Sequence, residues 1–171
     1  MTDAEFRDAF HSHKDVLYRF AYRMTGSVPV SEDVVQDCFL ALWRRPEGYD
    51  RRRGSLRSFL LGVARNLILK RWRDERPHEE IDSEALVTLP FELADVERSE
   101  AVARAVQQLP PLQRETLILA EYEEMSLQEI SVATDAELAA VKSRLHRARE
   151  NLRRMLSPLL EAKGSFYGKQ G

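Results

Sequence analysis

A single cysteine, Cys38, rules out an intramolecular disulfide and points to a reducing, cytoplasmic setting. Its neighbours Val35, Phe39 and Leu42 favour a small buried apolar side chain over a reactive thiol. No uncharged run approaches the ~20 residues needed to cross a bilayer, so direct membrane insertion is not expected. The opening MTDAEFRDAF has no basic stretch followed by an apolar one, and no signal peptide is expected. Neither His11 with His13 nor the isolated His78 and His146 stands near a Cys/His/Asp set with metal spacing, so no metal site is expected. Paired acid/base groups, a nucleophile with its base and a phosphate loop are all lacking. The chain is therefore not expected to be an enzyme or to carry a cofactor. Repeats and low-complexity blocks are absent too.

What is present is charge, unevenly distributed. The formal net charge of −2 conceals two basic regions around an acidic one. Residues 1–76 hold 15 basic and 11 acidic side chains, net +4. Residues 77–100 hold one Arg against eight acids, net −7. Residues 101–171 come to +1, yet 142–154 alone carries six basic residues and one acid. Local patches, not the sum, set the attraction for phosphate.

Periodicity places helices along the first region. Residues 3–25 carry Phe6, Phe10, Leu17, Phe20 and Met24 on one face, with His13 in the same stripe. Gly26 and a turn at Pro29 should close that helix. Ser31 is the expected cap of a second helix, with Glu32 and Asp33 in a first turn that favours anions. Val35, Cys38, Phe39 and Leu42 predict its buried face; Asp33, Gln36, Asp37, Leu40 and Arg44 lie opposite. Leu40 admits two readings: an ordinary exposed leucine, or the apolar centre of a protein-docking face with a polar rim.

Past Arg45-Pro46 the loop PEGYDRRRG sets Arg51, Arg52 and Arg53 beside Tyr49. Such a run is either solvated surface or a grip on a phosphate backbone with an aromatic for stacking. A long helix then spans Ser55 to about Arg76, with a core stripe of Leu56, Leu60, Val63 and Leu67. Beside it run Phe59, Gly62, Asn66, Leu69 and Arg73. A helical glycine costs roughly 1 kcal/mol against alanine, so Gly62 predicts a close approach. Asn66, donor and acceptor at once, suits a base edge, or else a buried polar clamp beside helix packing at Gly62. Lys70, Arg71 and Arg73 around Trp72 fit phosphate contacts with stacking, and equally a helix end stabilised by its dipole.

The fold class is all-α, with two small helical domains (1–76 and 96–158) joined by an acidic linker at 77–95 that contains Pro90. A flexible tail is expected at 159–171. In the second domain Val102, Val106 and Leu109 give a partial apolar face, and Pro110-Pro111 start a mostly apolar central helix, Leu112 to Tyr122. Ser126 and Glu129 form a capping box, with Met125 and Ile130 placed as its hydrophobic staple. Thr134-Asp135-Ala136 make the turn. The next helix buries Val141, Leu145, Ala148, Leu152 and Met155, and turns Ser143, Arg147 and Arg154 outward. This is the geometry of a helix-turn-helix reader of the DNA major groove.

Together these residues resemble the bacterial RNA polymerase sigma factors of the small extracytoplasmic-function (ECF) group. The carriers are SEDVVQDCFLALWRR, YDRRRGSLRSFLLGVARN and KRWRDE in the first domain, and LPPLQRETLIL, LQEI and VKSRLHRARENLRRML in the second. The resemblance implies promoter-directed transcription initiation on core RNA polymerase. It gives Asp33, Gln36, Asp37 and Leu40 to the clamp of the polymerase largest subunit, and Leu112–Tyr122 to its flap. It gives Tyr49, Arg53, Phe59 and Asn66 to the −10 element, with Lys70, Arg71 and Arg73 on the adjacent backbone. Lys142, Ser143, Arg144, His146 and Arg147 correspond to the −35 reader. Sigma factors of this group are often held by an anti-sigma factor. Four positions depart from the pattern: Phe59 for tryptophan, Ser131 for alanine, Asp135 for glycine and Ala140 for a threonine that contacts DNA. The competing readings are a helix-turn-helix regulator that acts without entering polymerase, and a helical adaptor whose basic face is only solvated.

Overall fold

The computed structural model describes residues 1–78 and 97–167, with side chains as far as Leu159. Among the described residues every regular element is helical. The acidic linker expected at 77–95 lies outside the described residues apart from Pro77 and His78.

Helix α1 (Asp3–Thr25) starts at a capping box between Thr2 and Glu5 and stops at Gly26, whose φ of 67° is the left-handed end glycine tolerates. Helix α2 (Val28–Arg44) corrects an expectation. Its cap is Ser27, which accepts from the Val30 amide, and Pro29 sits in the first turn instead of forming a turn of its own. Ser31 is buried inside the helix and donates to the Ser27 carbonyl. The start thus lies four residues earlier than the Ser31-Glu32-Asp33 signal implied, because proline's missing N–H is harmless in a first turn. The buried face holds Val34, Cys38, Phe39 and Leu42, while Val35 is only half-buried.

Two short 3-10 turns (Pro46–Gly48 and Arg51–Arg53) lead to α3 (Leu56–Glu75), capped by Ser55. Here the single stripe through Val63 and Leu67 is replaced by burial on two sides: Leu60, Leu61, Gly62, Ala64, Ile68 and Leu69 are covered, with Leu56, Val63 and Leu67 at the margin. One side packs on α1 and α2; the other meets the second domain.

That second domain comprises α4 (Arg98–Gln108), α5 (Pro111–Leu117) running into a widened π turn (Ile118–Tyr122), α6 (Leu127–Thr134) and α7 (Leu138–Tyr167). Ala101, Ala105, Val106, Leu109, Ile118, Leu119, Ile130, Val141 and Ala148 are its nearly dry interior. The Ser126–Glu129 capping box is formed, and both Met125 and Ile130 are buried. Asp135 takes the left-handed conformation (φ 50°) that closes α6. Helix α7 continues through Pro158, which removes one amide donor without ending the helix, so the backbone is helical to Tyr167 where a frayed tail was expected.

Candidate nucleic-acid interface

The loop after α2 is shaped by its own side chains. Asp50 accepts from the Arg52 amide at 3.0 Å and from its Nε at 3.2 Å, which keeps that carboxyl below its usual range. Tyr49 donates its hydroxyl to the Gly54 carbonyl at 3.3 Å and tilts its ring against Phe59, centroids 5.5 Å apart. One turn and two turns along α3 from Phe59 come Gly62 and Asn66. Tyr49, Arg53, Ser58, Phe59, Gly62 and Asn66 share one wall of a cavity of about 280 Å³. An aromatic pair, a cation and an exposed amide in one recess can stack and hydrogen-bond a planar base. The alternative of Asn66 as a buried clamp is overturned, since Asn66 is exposed.

Beyond the cavity, Lys70 and Arg73 are exposed on α3 and Arg71 is half-buried, 3.8 Å from the Asp33 carboxylate. Trp72 is half-buried, and the Arg114 guanidinium lies over one face of its ring at 5.1 Å. Of the docking set on α2, Asp33, Gln36, Asp37 and Leu40 are all at the surface, Leu40 being 39% exposed. Sequence periodicity missed the extension of this face. Trp43 is 50% and Phe10 36% exposed, and both belong to an aromatic cluster with Phe6 and Phe39. Phe10, expected in the core stripe, lies at the α1–α2 margin beside a groove shared with Gln36 and Leu40.

In the second domain α7 is pinned by Val141, Leu145, Ala148 and Met155, each at most 6% exposed. Lys142, His146 and Arg147 consequently face solvent, with Ser143 and Arg144 at the flank of the same face. Arg154 is tied to the Asn151 side chain, and buried Asn151 donates to Gln113 Oε1 at 2.7 Å, joining α7 to α5. Ser131 has a local use: its hydroxyl donates to the Ala136 carbonyl at 2.6 Å and stitches the turn before α7. Leu112–Tyr122 is largely interior, with Glu121 and Tyr122 at the surface.

A seam between the domains was not foreseen. Glu115, fully buried, receives Arg65 Nε at 2.6 Å and Nη2 at 2.9 Å. Burial raises the Glu115 carboxyl above its usual range, and Arg65 opposes that rise. Glu123, 6% exposed, pairs with Arg57 at 2.6 Å and Arg23 at 3.6 Å. Arg114 reaches across to the Met24 carbonyl, and burial pulls its guanidinium down to about 10, still charged at neutral pH. Nothing local marks these pairs in the sequence, because the partners stand 50 to 100 residues apart.

Comparison with known proteins agrees with this architecture. The profile of Sigma-70 region 2 matches residues 9–78, and that of Sigma-70, region 4 matches residues 99–152. The ECF RNA polymerase sigma factor SigW of Bacillus subtilis is 30% identical over 169 residues, covering 90% of either chain. SigL of Mycobacterium tuberculosis, also an ECF RNA polymerase sigma factor, is 34% identical over 163 residues and 91% of both chains. The fold matches the sigma factor RpoE of Bartonella quintana, solved in complex with the anti-sigma factor NepR, with a TM-score of 0.68 over 90% of this chain and 97% of that one, at 23% identity. With region 2 and region 4 in order and relatives aligned nearly end to end, the chain belongs to the ECF RNA polymerase sigma factors, which direct promoter-specific transcription initiation.

Proposed function

We propose how this chain divides that work among its residues. The recess of Tyr49, Arg53, Phe59 and Asn66 takes an unstacked base of the −10 element, and Lys70, Arg71 and Arg73 hold the neighbouring phosphates. The outward face of α7 (Lys142, Ser143, Arg144, His146 and Arg147) enters the major groove of the −35 element. Asp33, Gln36, Asp37 and Leu40 dock on the clamp of the polymerase largest subunit, with Trp43 and Phe10 extending the apolar centre. The exposed end of Leu112–Tyr122 faces the flap. The domains are 1–76 and 96–158, joined through 77–95.

The supporting observation is the order of groups along α3: an aromatic and amide recess, followed within two turns by a cationic row. Such a surface offsets the cost of unstacking, a few kcal/mol per step, with stacking and phosphate contacts. The chain acts by binding and carries out no chemistry of its own. Its place is the cytoplasm, with the polymerase and promoter DNA it works on; among the described residues no helix is long and apolar enough to cross a membrane. An anti-sigma factor is part of the same reading, as RpoE has in NepR.

The test is to add the purified chain to core polymerase on a promoter library. Co-purification with core enzyme and new, chain-dependent start sites are expected. Sequence-specific duplex binding with neither property would favour a regulator that acts outside polymerase. Absence of any DNA contact would favour a structural adaptor.

A further inference from the structure

Arg51 and Arg52 are the part of the basic loop that the promoter assignment leaves without a task. Both are exposed, the Arg52 side chain almost wholly so. They belong to the unbroken run Arg51-Arg52-Arg53, which ends one residue short of Ser55. Ser55 is exposed too, in the stretch between the second 3-10 turn and α3. Gly54 beside it has open space, with nothing within 4 Å of the point where a Cβ would stand. A surface serine that follows two arginines at the second and third positions is the substrate form of arginine-directed serine/threonine kinases. Carboxylates in the kinase cleft pair with the two guanidiniums.

The serine also stands where added charge has consequences. Ser55 and Arg53 line the α3 recess together with Ser58, Phe59 and Asn66. The recess is narrow. Its far wall is Glu129, Val132, Ala133 and Asp135, and a Cβ added to Gly62 would stand 2.8 Å from the Ala133 carbonyl oxygen. The Ser55 hydroxyl accepts from the Ser58 amide at 3.1 Å and donates to Ser58 Oγ at 3.0 Å. A phosphoserine oxygen can accept from the same amide, in a first turn whose dipole favours an anion, so the modification leaves α3 capped.

We propose that Ser55 is a phosphorylation site, recognised through Arg52 and Arg53 by an arginine-directed serine/threonine kinase, and that its phosphate shuts promoter DNA out of the recess. The inference rests on the assignment of the recess to the −10 element. The kinase moves the γ-phosphoryl group of Mg-ATP to Ser55 Oγ. A new Oγ–P bond replaces the bond to the β-phosphate oxygen, ADP leaves, and the hydroxyl proton passes to a carboxylate of the kinase. The product carries a charge of about −1.5 to −2 at neutral pH. It draws Arg53 to itself and repels the phosphates of the −10 strand. The −35 face of α7 lies in the other domain and keeps its cations.

The experiment has two arms, both on the full chain. In the first, the chain is incubated with Mg-ATP and the catalytic subunit of cyclic-AMP-dependent protein kinase, and the product is mapped by tandem mass spectrometry. One phosphoryl group on Ser55 is expected, with incorporation slower by about tenfold in Arg52→Ala. No incorporation at Ser55, or an unchanged rate in Arg52→Ala, overturns the site. In the second arm, core polymerase opens a promoter that the unaltered chain selects, and permanganate reads the −10 thymines. The phosphorylated chain should lose about tenfold or more of their reactivity, with −35 protection unchanged. Ser55→Asp, with a single charge, should lose a smaller share, and Ser55→Asn should keep the reactivity. Asp and Asn cap helices equally well, so the pair isolates charge. Undiminished reactivity in the phosphorylated chain overturns the switch, and so does an equal loss in the Asp and Asn variants. Phe59→Ala/Asn66→Ala, whose thymines should stay unreactive whatever the state of Ser55, checks the −10 assignment separately.

Discussion

The recess around Asn66 and the outer face of α7 are assigned to the same promoter, yet they are built differently. The α7 face is local: one helix, one apolar stripe beneath it, and a short turn fixed by Ser126, Ser131 and Asp135. The recess is composite. Its floor is α3, its side is the loop at Tyr49–Gly54, and its lid belongs to a helix some 70 residues away. A local reader is ready before any partner arrives. A composite one depends on how its parts are packed, and here those parts are held by ion pairs with one buried member each.

Several substitutions would break or sharpen this contrast. The largest effect is expected from Arg65→Ala, which strands the Glu115 carboxylate in the seam. Losing one partner of a buried pair costs about 3–5 kcal/mol, read by urea unfolding of the full chain. Glu115→Gln should cost clearly less in the same titration. The glutamine keeps the side-chain volume and can still accept a hydrogen bond from Arg65, so only the ionic part of the pair is lost. Equal losses for the two variants would show that Arg65 contributes through its charge alone and adds nothing by packing.

On the α7 side, Arg147→Ala should weaken use of the −35 element by roughly 1–3 kcal/mol and relax preference at one base position, measured by initiation from −35 variants. Lys142→Ala should instead weaken binding uniformly and lower the salt slope by about one unit. Ser126→Ala removes half of the capping box and should cost the second domain about 1 kcal/mol, read as a lower melting temperature. The smallest change is a gain. Asp135→Gly relieves a left-handed non-glycine residue, for on the order of 1 kcal/mol at most, since glycine is itself freer when unfolded.

The sequence was most informative where structure is local. The capping box at Ser126 and Glu129 and the stripe from Val141 to Met155 could both be read from spacing, whereas Asp135 drew notice only because the resemblance has glycine there. Signals competed at the start of α2, where Ser27-Val28-Pro29 and Ser31-Glu32-Asp33 each make a plausible cap and only packing decides. On α3 the expected stripe failed because a helix buried on two sides has no clean period. Gly62 was the one visible mark of its second neighbour. The close approach it predicted is real, but it comes from the other domain, and Asn66 beside it lies open rather than clamped. Trp72 misled for a related reason: a guanidinium 42 positions away covers one face of the ring that periodicity left exposed.

The most direct test of the account is permanganate footprinting of an open complex formed by this chain and core polymerase on a promoter it selects. The unaltered chain should expose reactive thymines across the −10 element while protecting the −35 element. Phe59→Ala/Asn66→Ala should keep the −35 protection and lose the reactive thymines. Undiminished −10 reactivity in that variant would contradict the assignment of promoter opening to the α3 recess.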